Sequence, residues 1–382
     1  MTLPPFSFAS AGEILFGRGR AAEAAGRISA FGHRVLLVHG ADPARAGWLR
    51  EALPHVICIA CRGEPDLPAL ESALAKARAA EPEVVVALGG GAVIDLAKAL
   101  AALIPAPGEI LEYLEVVGQG QPLTVPPLPM VALPTTAGTG AEVTRNAVIG
   151  VPEARRKVSL RDPAMLPRLA LVDPALTDGC PWGVTLASGL DALTQVIEPY
   201  LCTRANPMTD ALCRAAIPLA LPALMRLDEA EDPAARDAMA YVSLSGGLAL
   251  ANAGLGAVHG LAGVIGGETG APHGAICGAL LVPVLSALSG AAEAGSQLQA
   301  RLDEVAGWLA RPLGVSPDAA FPALATWAQG AGLAGLGGLG VAAEARGRIA
   351  HQAQASSSMR ASPVTFDSDA LTVILEAAHS AG

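Results

Sequence analysis

Charge is scarce in this chain: only 16% of its 382 residues are Asp, Glu, Lys or Arg, against 52% apolar. That balance excludes extended disorder and leaves a compact chain, long enough for two domains with full cores. Basic clusters are missing too. A net charge of −10 without a run of Lys or Arg argues against nucleic acid and anionic membranes as partners. Neither of the longest apolar runs gives the roughly 20 uninterrupted residues that span a bilayer. Val84–Ile104 is interrupted by Asp95 and Lys98, and Ile276–Leu288 by Pro283. The opening MTLPPFSFASAGEILFGRGR has no basic start followed by an apolar core, so no secretory signal is read and a cytosolic enzyme is expected. Six cysteines are scattered. Cys58 and Cys61 form a CxxC without the second pair of a zinc site, and are expected to be reduced, buried thiols.

What the sequence does contain is strand, glycine turn and helix in succession. In Glu83–Leu100, EVVVALGGGAVIDLAKAL, a β-branched run stops at Gly89–Gly91, and apolar residues then recur at helical spacing, leaving Asp95 and Lys98 for the polar face. A helix opening on bare glycines offers free N–H groups and a positive dipole end to a phosphate. The same turn also serves a purely structural βα connection, and the motif is neither GxGxxG nor a P-loop. Strands are predicted at Glu13–Gly17, His33–His39, Val56–Cys61, Val84–Leu88, Met130–Leu133 and Leu169–Asp173, with helices at Ala21–Ala30 and Asp66–Ala80. Their alternation predicts a mostly parallel, doubly wound α/β domain. After the second strand come Gly40, Asp42 and Arg45, a mixed cue between NAD and NADP.

A loop follows in Pro127–Gly150, where Thr135, Thr136, Thr139 and Thr144 stand near Gly138 and Gly140. Such hydroxyls satisfy their own backbone or face a cofactor, and their place just after a sheet strand favours the second reading. Beyond Pro174 the chain turns alanine- and leucine-rich and helical. The domain boundary is placed near Leu176–Pro181, giving an α/β domain over 1–177 and an all-helical domain over 178–382. In Thr185–Glu198 the residues Asp191 and Gln195 share a helix face, and Pro199 should end or kink that helix. Two of seven histidines, His259 and His273, fall in a glycine-rich stretch. Long-range spacing alone does not separate a metal site from hydrogen-bonded core residues.

Taken together, EILFG at Glu13, GGGAVIDLAK at Gly89–Lys98, LPTTAGTGAEVT at Leu133–Thr144, GLDALTQVIEPY at Gly189–Tyr200, His259 and PHG at Pro272–Gly274 resemble the iron-containing (group III) alcohol dehydrogenases. The likeness runs over nearly the whole chain, to SSSM at Ser356. It implies a dinucleotide-binding α/β domain and a helical metal domain, with nicotinamide and metal meeting in a cleft. Gly89, Gly90, Gly91 and Ala92, with Asp95 on the same helix, would form the pyrophosphate site, although Ala92 stands where a serine is usual. Thr135, Thr136 and Thr139 would line the adenine and phosphate side, and Asn146 and Lys157 the ribose and nicotinamide.

The same resemblance implies a metal held by Asp191, His259 and His273, with Gln195 where the family has a His. An amide oxygen is a harder donor than imidazole, so the site is expected to be altered. Gly263 replaces a further His that many members use in proton transfer, so a relay would need a water, a ribose hydroxyl or another residue. The expected activity is therefore that of an NAD(P)-dependent alcohol dehydrogenase or aldehyde reductase. It would use NAD or NADP with Fe2+ or Zn2+, His259 and His273 being catalytic through the metal, and act on a small alcohol, aldehyde or keto acid as a homodimer. Two other activities stay open: a maleylacetate-reductase-like reduction of a keto acid, with Arg145, Arg155 and Arg156 as candidate anion partners, and a non-redox lyase or degenerate binding role on the same scaffold.

Overall fold

A computed structural model describes residues 5–379. It resolves into two compact units: an α/β unit of residues 10–136 and 140–178, and a helical unit of 179–379 with the described residues before Ser10 and with 137–139.

The α/β unit is built on six parallel strands, β1 (Ile14–Phe16), β2 (Arg34–His39), β3 (His55–Ala60), β4 (Val84–Gly89), β5 (Met130–Pro134) and, last in the chain, Leu169–Val172. Between β5 and that last strand lies an element the sequence reading missed. Asn146–Val151 (β6) and Arg156–Arg161 (β7) form a separate antiparallel hairpin, which makes Leu169–Val172 strand β8. The order across the main sheet is β1-β8-β5-β4-β2-β3.

Alternation explains both faces. Leu36, Val38, Val85, Ala87 and Ala132 share one core with Leu70 of α3 (Leu67–Ala80) and Leu100 of α4 (Gly91–Leu103). Val35, Leu37, Val84, Val86 and Leu133 face the other way, onto Ile28 of α1 (Ala24–Ser29) and Leu49 of α2 (Gly47–Ala52). Strands buried on both sides must read as continuous apolar runs, as RVLLVH and VVVALG do. Chain order reverses between β2 and β4, which opens a crevice at their carboxyl ends. A short α5 (Ile110–Tyr113) follows α4.

Among the described residues nine α-helices make up the helical unit: α6 (Trp182–Leu201), α7 (Pro207–Glu229), α8 (Pro233–Asn252), α9 (Ala257–Thr269), α10 (His273–Ala291), α11 (Gln297–Leu313), α12 (Ala320–Gly330), α13 (Arg346–Ala353) and α14 (Ser368–His379). The first, fourth and fifth of these carry the candidate site, and α6 packs against α7, α8 and α10.

Three expectations are corrected. Pro199 does not end α6, which continues to Leu201; the proline removes one N–H near the end of a buried helix, where tertiary packing outweighs that loss. Pro283 likewise lies inside α10, so α10, and α7 with it, are long and apolar enough by length and composition to cross a membrane. In this fold half of α10's apolar window is buried inside the protein, as expected of a core helix. Cys58 is exposed on the edge strand β3, whereas Cys61 is buried; the six cysteines are free.

Candidate metal centre and cofactor cradle

On the α/β unit, β4 delivers the chain to Gly89–Gly91 at the crevice. A Cβ on Gly89 would lie 2.4–2.8 Å from the Val93 side chain, so only glycine lets α4 turn back this tightly. Gly90, in extended conformation, caps α4, and its carbonyl accepts the first helical bonds from the N–H groups of Val93 and Ile94. The N–H groups of Gly91 and Ala92 precede those bonds and carry the positive end of the helix dipole. Thr135 donates its main-chain N–H to the Gly89 carbonyl, and Thr136 Oγ1 would stand 3.0 Å from a Cβ on Gly90. The strand ends, glycines and two threonines thus form one cradle.

The remaining residues of that set are placed differently. Thr139 belongs to the helical unit, where its carbonyl accepts from Gln195 Nε2 at 2.6 Å. Lys157 on β7 is ion-paired with Glu64. Asn146 opens β6, and its carbonyl accepts from Lys98 Nζ at 3.0 Å. Asp95, half-buried on α4, acts electrostatically on Lys98.

Lys98 itself departs most from the sequence reading. It is not on a polar face; it is 1% exposed and donates to Thr144 Oγ1 at 2.7 Å, which takes that threonine out of the cofactor-facing group. Burial pushes its pKa down, with Asp95 and Glu142 opposing. Glu142, also buried, is pushed up by burial, with its own backbone and Lys98 pulling it back. A lysine and a glutamate thus share the interior between α4 and the strand that follows the threonine loop.

In the helical unit the metal-type residues converge. Asp191 on α6, His259 on α9, and His273 and Cys277 on α10 bring one donor atom each to within 4.8 Å of one another. His259 Nε2 stands 3.4 Å and His273 Nε2 3.9 Å from Asp191 Oδ1. The two rings are 5.4 Å apart at 53°. Asp191 is 2% and His259 8% exposed, while the His273 side chain keeps 31%, so the cluster opens to solvent on that side.

Two donors there have no hydrogen-bond partner, Asp191 Oδ1 and His259 Nε2, both buried. A buried carboxylate oxygen and a buried imidazole nitrogen, both unsatisfied and facing each other, are costly unless a cation lies between them. Electrostatics agree. Burial opposes a charged His259, but Cys277, Asp191 and Glu198 outweigh it and push its pKa well above the usual range. Burial likewise opposes charge on His273, yet Cys277 and Asp191 push it up to about 9. Burial would raise Asp191, but His259 and His273 more than offset it. The pocket is one that seeks positive charge, and its donors fit a divalent metal.

Glu198 and Cys277 are absent from the sequence-based site. Glu198 lies seven residues after Asp191 on α6 and accepts from His259 Nδ1 at 2.6 Å and from the Val258 N–H at 2.7 Å. This fixes the His259 tautomer and turns Nε2 toward Asp191, as a carboxylate behind a metal-bound imidazole does. The signal was its helical spacing. Gln195, 3% exposed, turns its amide N–H to Thr139.

Gly274 allows α10 to press onto α6. A Cβ there would meet the Ala187 carbonyl oxygen at 2.3 Å and the Asp191 side chain at 3.1 Å. Gly274→Ala should gain ~1 kcal/mol of helix propensity, yet it must push α10 and His273 away from Asp191. The expected result is weaker metal binding and lower melting temperature in isothermal titration and thermal melts; a stabilised variant with unchanged affinity would contradict this packing.

Comparison with known proteins agrees with the fold. Residues 11–174 match the family described as iron-containing alcohol dehydrogenase, and residues 185–379 match the Fe-containing alcohol dehydrogenase family, C-terminal. Alcohol dehydrogenase 4 of Schizosaccharomyces pombe is 35% identical over 278 residues, 70% of this chain and 65% of that protein. The NAD-dependent methanol dehydrogenase of Bacillus methanolicus is 38% identical over 208 residues, 54% of this chain and 53% of its own length. The matched segments thus span less than two thirds of either relative. The crystal structure of a 1,3-propanediol oxidoreductase superposes with a TM-score of 0.87 at 28% identity, covering 98% of this chain and 100% of that one. The chain belongs to the iron-containing alcohol dehydrogenase family.

Proposed function

We propose that the protein is an NAD(P)-dependent alcohol dehydrogenase or aldehyde reductase acting on a small alcohol or carbonyl compound. One observation carries this reading: an unpartnered Asp191 oxygen and an unpartnered His259 nitrogen are buried face to face beside His273, in a family whose relatives oxidise alcohols. Asp191, His259 and His273 would hold a divalent metal. When bound, such a metal supplies a Lewis acid for the substrate oxygen, and a nicotinamide supplies the hydride chemistry.

The chain's own residues do the rest. Glu198 holds the His259 ring in its liganding orientation. The partly exposed edge of His273 leaves the side by which a small oxygen-bearing substrate enters. On the α/β unit, the N–H groups of Gly91 and Ala92 bind the pyrophosphate, and Gly90 and Thr136 set how closely it approaches. The position of Gly263 has open space and no imidazole, so proton transfer falls to water or a ribose hydroxyl. The Asp42 carboxylate accepts from the Ala44 N–H at 2.9 Å.

The keto acid alternative is less favoured: Arg155 and Arg156 are exposed on the hairpin turn, and a metal-independent enzyme would not need the orphaned donors of Asp191 and His259. Oxidation of NADH and NADPH against short aldehydes and keto acids tests the reading. Turnover of aldehydes with either cofactor is expected; no turnover of any aldehyde would reject it. Gly90→Val would fill the cradle against Thr136. Overpacking of ~1–3 kcal/mol translates into a ~5–150-fold weaker cofactor affinity, measured by nucleotide fluorescence, with metal content unchanged.

A further inference from the structure

We propose that Cys277 supplies the fourth ligand of this metal site as a thiolate, taking the place left by Gln195 and making the site one for zinc in preference to iron. The proposal rests on the reading that Asp191, His259 and His273 bind a metal, and deepens it.

Cys277 follows His273 by four residues on α10, so both side chains project from one helix face. Its sulfur is buried, 3.6 Å from His273 Nε2, and within 4.8 Å of the donors of Asp191 and His259. Those separations carry the argument. With tetrahedral angles and ordinary zinc bond lengths, an imidazole nitrogen and a carboxylate oxygen on one ion stand ~3.4 Å apart, and a nitrogen and a thiolate sulfur ~3.6 Å. The observed His259–Asp191 and His273–Cys277 separations are 3.4 Å and 3.6 Å. The His273–Asp191 edge, at 3.9 Å, is the one that must close.

Gln195 does not compete for the position with its nitrogen, which is committed to the Thr139 carbonyl. Sulfur, unlike an amide oxygen, is a soft donor. An N2OS set therefore leans toward zinc, which also lies above ferrous iron in the general order of affinities. Binding costs the thiol its proton, which leaves to solvent. With four protein donors the site would be closed on the protein side, and the partly exposed His273 edge is where a substrate oxygen would approach.

The test is cobalt substitution. The metal-free full-length protein is titrated with Co2+ and read by absorption, in wild type, Cys277→Ser and Gln195→Ala. Expected are intense visible d–d bands of four-coordinate cobalt at one equivalent, together with a near-ultraviolet thiolate-to-cobalt charge-transfer band. Cys277→Ser should lose the charge-transfer band while still binding, with zinc affinity weakened beyond the ~10–100-fold that loss of an outer partner brings. Gln195→Ala should keep the band. Wild type that binds cobalt with d–d bands and no charge-transfer band would overturn the role of Cys277 and leave the three-ligand reading standing. No cobalt binding at all would reject both.

Discussion

Asp191→Asn is expected to abolish stoichiometric metal binding and lower kcat/KM for aldehyde reduction by about 10^3-fold, equivalent to ~4 kcal/mol of lost transition-state stabilisation. The substitution keeps side-chain size and removes the one buried carboxylate that His259 and His273 both face. Elemental analysis and initial rates on the same preparation check it. If Asp191 were only part of a hydrogen-bonded core, the Asn variant would melt earlier but turn over normally once folded. A variant with full metal and full rate would remove Asp191 from the site.

Lys98→Met is expected to cost about 3–5 kcal/mol of stability at neutral pH. The methionine fills the volume but leaves Glu142 buried without its counter-charge, and leaves Thr144 Oγ1 and the Asn146 carbonyl without their donor. The pH dependence gives a second check. Glu142 titrates above its unfolded value, so the neutral form is favoured in the folded chain, and stability associated with it is lost as pH rises through its folded pKa. Without Lys98 that pKa moves further up. The deficit of Lys98→Met against wild type should therefore be larger at about pH 8 than at about pH 5.5. Denaturant melts at both values decide it; a deficit independent of pH would mean that Glu142 does not feel Lys98.

Much of this could be read from the residues. RVLLVH and VVVALG were legible as strands because both faces are buried, and the glycine turn because a Cβ on Gly89 would collide with Val93. Asp191, His259 and His273, taken from resemblance, are brought together by the fold, although only long-range packing of α6, α9 and α10 could do so. The hairpin was not legible because β6 falls at the end of the stretch read as a threonine loop, with β7 beyond it; burial alternates along both strands, but NAVIGV in β6 does not alternate polar with apolar residues.

Lys98 was misread for a related reason. Helical periodicity assigns a lysine to the solvent side, whereas the second layer that covers it, Thr144 and Asn146, comes from nearly fifty residues away. Pro199 and Pro283 were given too much weight as breakers, because a proline's local penalty is smaller than the burial that holds α6 and α10 in place. Cys277 was passed over among six scattered cysteines. Only the helix register, four residues after His273, distinguished it from the other buried thiols.

The measurement that bears most directly on the central claim is the metal-to-protein ratio of the purified chain, taken with aldehyde-dependent NADH and NADPH oxidation before chelation, after chelation and after metal is restored. The account predicts close to one metal ion per chain, loss of turnover on chelation and recovery on adding the metal back. A metal-free protein that turns over aldehydes at its full rate, indifferent to chelator and to added zinc or iron, would contradict it.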